Sequence, residues 1–226
     1  MKKIALIVAG GTGTRMGYDI PKQFITLNNI PILQHTINQF INYDAAIHII
    51  IVLPANQIDY WKTLCSTTNF THPHQVVVGG TTRFQSVSNG LKVINSTTQA
   101  IVFVHDGVRP FVSLSVLDAC YTTALAQGNA VPAIACNDSL RKVTANGKNQ
   151  HVNRAQYQLI QTPQTFTLAQ LQHSYATPES VNFTDDASVA QHSGYAIHLV
   201  LGNTENIKIT TPFDLIIAKA LLDARG

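Results

Sequence analysis

Apolar, β-branched runs alternate with amphipathic stretches along nearly the whole chain, and this alternation restricts the fold more than any other feature. Residues 4–9, 47–53, 75–78, 101–104 and 130–135 read as strands, most of them apolar enough to be buried on both faces of a parallel sheet. Between them, residues 32–41, 58–66, 84–94 and 114–126 carry apolar side chains at helical spacing. In the last of these, Leu114, Leu117, Tyr121 and Leu125 are expected to face the core, with Ser115, Asp118 and Thr122 opposite. The alternation predicts a doubly wound α/β fold, a mostly parallel sheet with right-handed crossovers.

The pattern breaks near residue 137. From there to about 157 the chain is mostly polar, with Gly147 set between Asn146 and Lys148, so a projecting hairpin or β-arm is expected. Regular elements resume at 157–161, 168–175, 185–191 and 197–201. A last helix, 212–224, has Thr211 as its cap and Pro212 in its first turn. The 226 residues then fit a single α/β domain, 1–226, with the arm at about 137–157 as an insertion.

Several classes are excluded by composition. No apolar run approaches the roughly 18–20 residues that a membrane span needs. Lys2-Lys3 and the apolar residues after them look at first like a secretory signal, but the run is short and meets Gly10-Gly11 instead of a cleavage site. Cys65, Cys120 and Cys136 are far apart and form no CxxC pair, which predicts a reduced, cytoplasmic protein. A net charge of +3 without a basic run gives no footprint for nucleic acid.

The first strand ends in Ala9-Gly10-Gly11-Thr12-Gly13-Thr14-Arg15-Met16-Gly17. A glycine-rich loop at that place brings backbone N–H groups to phosphates. Met16 breaks a dinucleotide fingerprint counted from Gly11, and Tyr18 after Gly17 breaks a P-loop. What remains is a small-residue loop with Arg15, followed by Pro21-Lys22-Gln23: two cations beside a backbone cradle, as a triphosphate site requires. On spacing alone, a glycine turn with two surface cations is the competing reading.

The opening motif resembles the signature of sugar-nucleotide pyrophosphorylase-type nucleotidyltransferases. Four further segments follow in order: Gly79-Gly80-x-x-Arg83-x-x-Ser86-Val87, Val104-His105-Asp106-Gly107-Val108-Arg109-Pro110, Gln161-Thr162-Pro163-Gln164-x-Phe166 and Thr184-Asp185-Asp186-Ala187-Ser188. With Glu205-Asn206-Ile207-Lys208-Ile209-Thr210, the set resembles the 2-C-methyl-D-erythritol 4-phosphate cytidylyltransferase family from about residue 4 to 222. The resemblance implies a Rossmann-like nucleotidyltransferase fold and transfer of CMP from CTP to methylerythritol phosphate, with release of pyrophosphate, in the non-mevalonate isoprenoid pathway.

The resemblance also implies roles. Arg15, Lys22 and Lys208 would surround the α-phosphorus, and Ala9, Gly10, Gly11, Gly80 and Ser86 would hold the cytidine and phosphates. Asp106 would carry Mg²⁺, while Arg109, Thr162 and Thr184 would lie at the substrate. Ser139 and Arg154, on the arm, would reach the sugar phosphate in the neighbouring subunit of a swapped-arm homodimer. Read from the residues alone, Arg109 could equally form a salt bridge, Lys208 could be a solvated strand lysine and the arm an ordinary surface hairpin. His105 reads as structural, Arg83 as an anchor for the helix after it, and Thr184 as a helix cap. Two alternatives stand beside this reading: the same chemistry on ribitol 5-phosphate, and a non-catalytic nucleotide-binding homologue.

Overall fold

The computed structural model describes residues 1–11, 17 and 20–224. The strands are β1 (Lys2–Val8), β2 (Thr26–Leu27), β3 (Ile30–Pro31), β4 (His48–Leu53), β5 (Gln75–Val78) and β6 (Ala100–Asp106). They continue with β7 (Asn129–Ala135), β8 (Arg141–Val143), β9 (Asn149–His151), β10 (Gln158–Ile160), β11 (Gln164–Thr167) and β12 (Leu199–Leu201). The helices are α1 (Ile32–Tyr43), α2 (Ile58–Thr67), α3 (Arg83–Lys92), α4 (Leu114–Gln127), α5 (Leu168–Tyr175), α6 (Asp186–His192) and α7 (Pro212–Asp223).

An eight-stranded sheet carries the fold, and β6, β1, β4 and β5 form its parallel part, with β5 at the edge. The short strand β11 inserts antiparallel between β6 and β7, and β7 also pairs with β10 and β12. The expected strands are present, and the central ones are buried on both faces. Ala5 and Ile7 pack with Phe40, Trp61 and Leu117 on one side. Ile4 and Leu6 pack with Val87, Leu91 and Phe166 on the other. Beyond β7 the polar segment forms the expected arm, a separate β8–β9 hairpin turning at Gly147, whose φ of +79° suits glycine. Among the described residues, no helix is long and apolar enough to cross a membrane.

Three local expectations are corrected. On α4 the buried residues are Val116, Leu117, Cys120 and Ala124, whereas Leu114 and Leu125 are about half exposed. Small Cys120 and Ala124 let the helix sit close on the sheet, and that contact outweighs the larger leucines. Asp185, not Thr184, caps α6: its carboxylate accepts from Ser188 N–H at 2.9 Å, closing a capping box. The segment around Lys208 forms no strand; Ile209 N–H instead donates to the Val108 carbonyl, which ties it beside the end of β6. At α7 the Thr211 cap and Pro212 stand as expected.

Candidate functional site

Chain order reverses between β1 and β6: β4 and β5 add on one side of β1, and β6 pairs on the other. Such a switch point opens a crevice at the carboxyl ends of the strands. A cavity of about 240 Å³ lies there, lined by Ala9, Gly10, Gly11, Lys22, Gly80, Ser86, Asp106 and Lys208 among others. A larger groove of about 570 Å³ lies at the opposite ends of the strands, near Lys2, Lys3 and His48. Its Lys3 is already paired with Asp44 at 2.8 Å and packed over the rings of Tyr43 and Tyr121.

Asp106, the last residue of β6, organises the charged end of the cleft. Lys208 Nζ lies 3.0 Å and Arg109 Nε 3.2 Å from its Oδ2, and Arg83 Nε lies 3.8 Å from its Oδ1. Burial alone would raise this carboxyl, but Arg83, Lys208 and Arg109 outweigh it and hold the group well below the usual carboxylate range. Asp106 is therefore ionised, and it fixes its neighbouring cations at the floor of the cleft. Arg109 is engaged within the fold, donating also to the Asn206 carbonyl at 2.8 Å.

Arg83 is a site residue that sequence reasoning placed only as an anchor. It opens α3, and its guanidinium pairs with Asp186 through two bonds of 2.8 and 2.6 Å while Nε turns toward Asp106. It thus ties α3 to α6 and adds charge to the cleft. The available signal was an arginine and an aspartate inside two of the motifs.

His105 and Thr162 fix the backbone beneath Asp106. His105 is wholly buried, and its Nε2 lies 3.0 Å from the Arg109 carbonyl, so Nε2 carries the proton. Nδ1 then accepts from the Thr162 hydroxyl, which itself accepts the Asp106 N–H at 3.1 Å. Burial pushes the imidazole down to about 4. Thr162 is thereby engaged inside the fold, away from the cavity wall.

On the other wall, Ser86 Oγ accepts from Gly80 N–H at 3.1 Å and donates to the Thr82 carbonyl. A Cβ at Gly80 would stand 2.2 Å from Gln85 Cβ, so only glycine fits at that turn. A Cβ at Gly11 would approach Lys22 Cε to 3.1 Å, which places the lysine stem directly over the loop. Arg15 lies outside the described residues. Thr184, Ser139 and Arg154 are exposed and do not line this cavity; Arg154 donates to the Asn137 carbonyl at the base of the arm.

The cleft thus joins an ionised carboxylate, fixed cations and a glycine-rich wall, an arrangement suited to a polyphosphate with an uncharged head. In comparisons with known proteins, the IspD family, 2-C-methyl-D-erythritol 4-phosphate cytidylyltransferase, matches residues 3–224. The chain is 48% identical over 222 residues to the enzyme of that name from Bacteroides thetaiotaomicron, covering 98% of this chain and 100% of the other. The 4-diphosphocytidyl-2C-methyl-D-erythritol synthase of Anaerococcus prevotii superposes with a TM-score of 0.83 at 28% identity, over 98% of this chain and 96% of that one. The Thermus thermophilus 2-C-methyl-D-erythritol 4-phosphate cytidylyltransferase does so with a TM-score of 0.76 at 29% identity, over 99% and 100%.

Proposed function

The chain belongs to the 2-C-methyl-D-erythritol 4-phosphate cytidylyltransferase family, and from that premise we propose how its residues divide the reaction. The reaction transfers the cytidylyl group of CTP to 2-C-methyl-D-erythritol 4-phosphate, giving 4-diphosphocytidyl-2-C-methyl-D-erythritol and pyrophosphate, in isoprenoid biosynthesis. An oxygen of the acceptor phosphate forms the new bond to the α-phosphorus, and the bond to the β-phosphate oxygen breaks. The attacking monoester is already anionic, so no general base is required, and catalysis reduces to positioning and charge stabilisation.

Lys22 and Lys208 neutralise charge that builds on the α-phosphate, together with Arg15. Asp106 holds Lys208 and Arg109 in place until phosphate oxygens compete for them. The observation that carries this reading is the Lys208–Asp106 pair at 3.0 Å on the floor of the cleft that Lys22 also lines. Ala9, Gly10, Gly80 and Ser86 form the wall for the cytidine.

Asp106 also suits Mg²⁺, a hard cation that takes oxygen donors. Its carboxylate is ionised, and no group of three or more candidate ligands exists among the described residues. That donor set fits an ion held by one carboxylate with phosphate oxygens and water completing the shell. When bound, Mg²⁺ would offset the charge of the triphosphate.

The exposed positions of Ser139 and Arg154 suit action on the cleft of a second copy. The outer part of the sheet also exposes Leu159, Leu199 and Leu201, apolar surface that an isologous dimer would cover. Thr162 and Arg109 would act through Asp106 more than by direct contact, and Thr184, exposed at the start of α6, would lie near the substrate.

Lys22→Ala tests the assignment. Turnover is expected to fall by about 10²–10³, as losing one stabilising donor typically does, with CTP binding weakened far less. Near-normal turnover would remove Lys22 from the mechanism.

A further inference from the structure

Main chain at Ala9, Gly10 and Gly80 and the Ser86 hydroxyl line the cleft together with Lys22, Arg83, Asp106 and Lys208. On the reading above, the uncharged base of CTP lies against the Ala9 end of that main-chain wall.

Behind that end lies a glutamine that has no contact with solvent. Gln23 is wholly buried, and its Nε2 donates to the Ala9 carbonyl at 2.8 Å and to Gln57 Oε1 at 2.5 Å. The Ala9 carbonyl can only accept, so a reversed Gln23 amide would set oxygen against oxygen there; that fixes Gln23, and Gln57 turns its own oxygen to the same amine. The Ala9 N–H is pinned as well, donating to the Val52 carbonyl at 2.9 Å. The Ala9 carbonyl is thus an immobile acceptor with a second lone pair still available. Gln23 Oε1 finds no donor among the described residues. A buried acceptor left in that state is costly, and such groups call for a functional explanation.

Cytosine presents an amine donor where uracil presents a carbonyl acceptor. A rim of fixed acceptors takes the first and repels the second. We propose that the buried Gln57–Gln23 pair sets the choice of donor base, by holding the Ala9 carbonyl where it accepts from an aminopyrimidine and rejects uracil. Gln23 and Gln57 are positioning residues, and nothing in the chemistry of phosphoryl transfer requires them. Gln57 stands outside the cleft, in a single turn (Ala55–Gln57) after β4, so it acts only through Gln23. The proposal rests on the reading of the cleft as the CTP site.

The test is kcat/KM for CTP and for UTP, with methylerythritol phosphate as acceptor, in wild type, Gln57→Met, Gln57→Glu and Gln23→Glu. Gln57→Met removes the second acceptor from that amine, and the CTP-over-UTP preference is expected to fall about tenfold, the worth of one hydrogen bond. Gln57→Glu keeps an acceptor oxygen and is expected to preserve the preference. A purely structural role would lower both nucleotides alike and leave the ratio unchanged. Should Gln57→Met fail to fold, Gln23→Glu carries the test, because a carboxyl of the same size cannot donate to both partners; its preference is expected to fall likewise. An unchanged ratio in a folded, active variant overturns the proposal alone. A wild type that turns over neither nucleotide overturns the reading of the cleft and the proposal with it.

Discussion

Replacing Arg83 with methionine should damage the fold through a residue it leaves behind. Asp186 is wholly buried, and its carboxylate is met by the Arg83 guanidinium at 2.8 and 2.6 Å and by the Tyr175 hydroxyl at 2.7 Å. Without the arginine, one neutral hydroxyl faces a buried anion. Breaking a buried pair in this way costs about 3–5 kcal/mol. At about 2–4 °C per kcal/mol for a chain of this size, the midpoint of thermal unfolding should fall by about 6–20 °C. The reverse change is milder. Asp186→Asn leaves Arg83 partly exposed and still 3.8 Å from Asp106, so a loss of about 1–2 kcal/mol is expected. Combined, the two substitutions should cost less than the sum of the singles, because each removes the partner that the other strands. Thermal and urea unfolding of the four proteins at pH 7 measure all three quantities. Strict additivity, or an Arg83→Met loss below about 1 kcal/mol, would refute the reasoning.

Three further outcomes are expected. His105 is held at about 4 by burial, below the ordinary value, so its unfolded form takes up a proton first as pH falls. Stability should decline by about 3 kcal/mol between pH 6.5 and 4 and be level above that range, and His105→Gln should flatten the decline; parallel curves from urea titrations would contradict this. On the swapped-arm dimer proposed above, mixing inactive Lys22→Ala and Arg154→Ala subunits should restore about a quarter of wild-type activity, because random exchange would leave that share of sites intact; no recovery after subunit exchange would argue against a shared site. Chelating divalent ions should weaken CTP binding measured by calorimetry in wild type more than in Asp106→Asn, and equal weakening would separate Asp106 from the metal.

Much of the fold was legible because the β-branched runs of β1, β4 and β6 are buried on both faces and need no tertiary information to read. Strand β11 was not, since Gln164 and Thr165 look polar, and their burial follows only from insertion between β6 and β7. The face of α4 was misread because leucine outranks cysteine and alanine in hydrophobicity, whereas the sheet selects side chains small enough to let the helix approach. Thr184 and Asp185 are both good caps, and which one reaches Ser188 N–H is a matter of geometry. In the site, Asp106 and Lys208 could be named from motifs, but their contact could not. The same holds for Arg83 and Asp186, which lie 103 residues apart and meet only because α3 and α6 pack together. The buried Gln57–Gln23–Ala9 chain left no trace in spacing, because Gln57 belongs to no motif.

The central claim is the identity of the two substrates, and one assay addresses it directly. Pyrophosphate release is measured with CTP and Mg²⁺, once with 2-C-methyl-D-erythritol 4-phosphate and once with ribitol 5-phosphate. Release with the first acceptor, and little with the second, is the expected result. Release with ribitol 5-phosphate in preference, or with neither acceptor, would contradict the account.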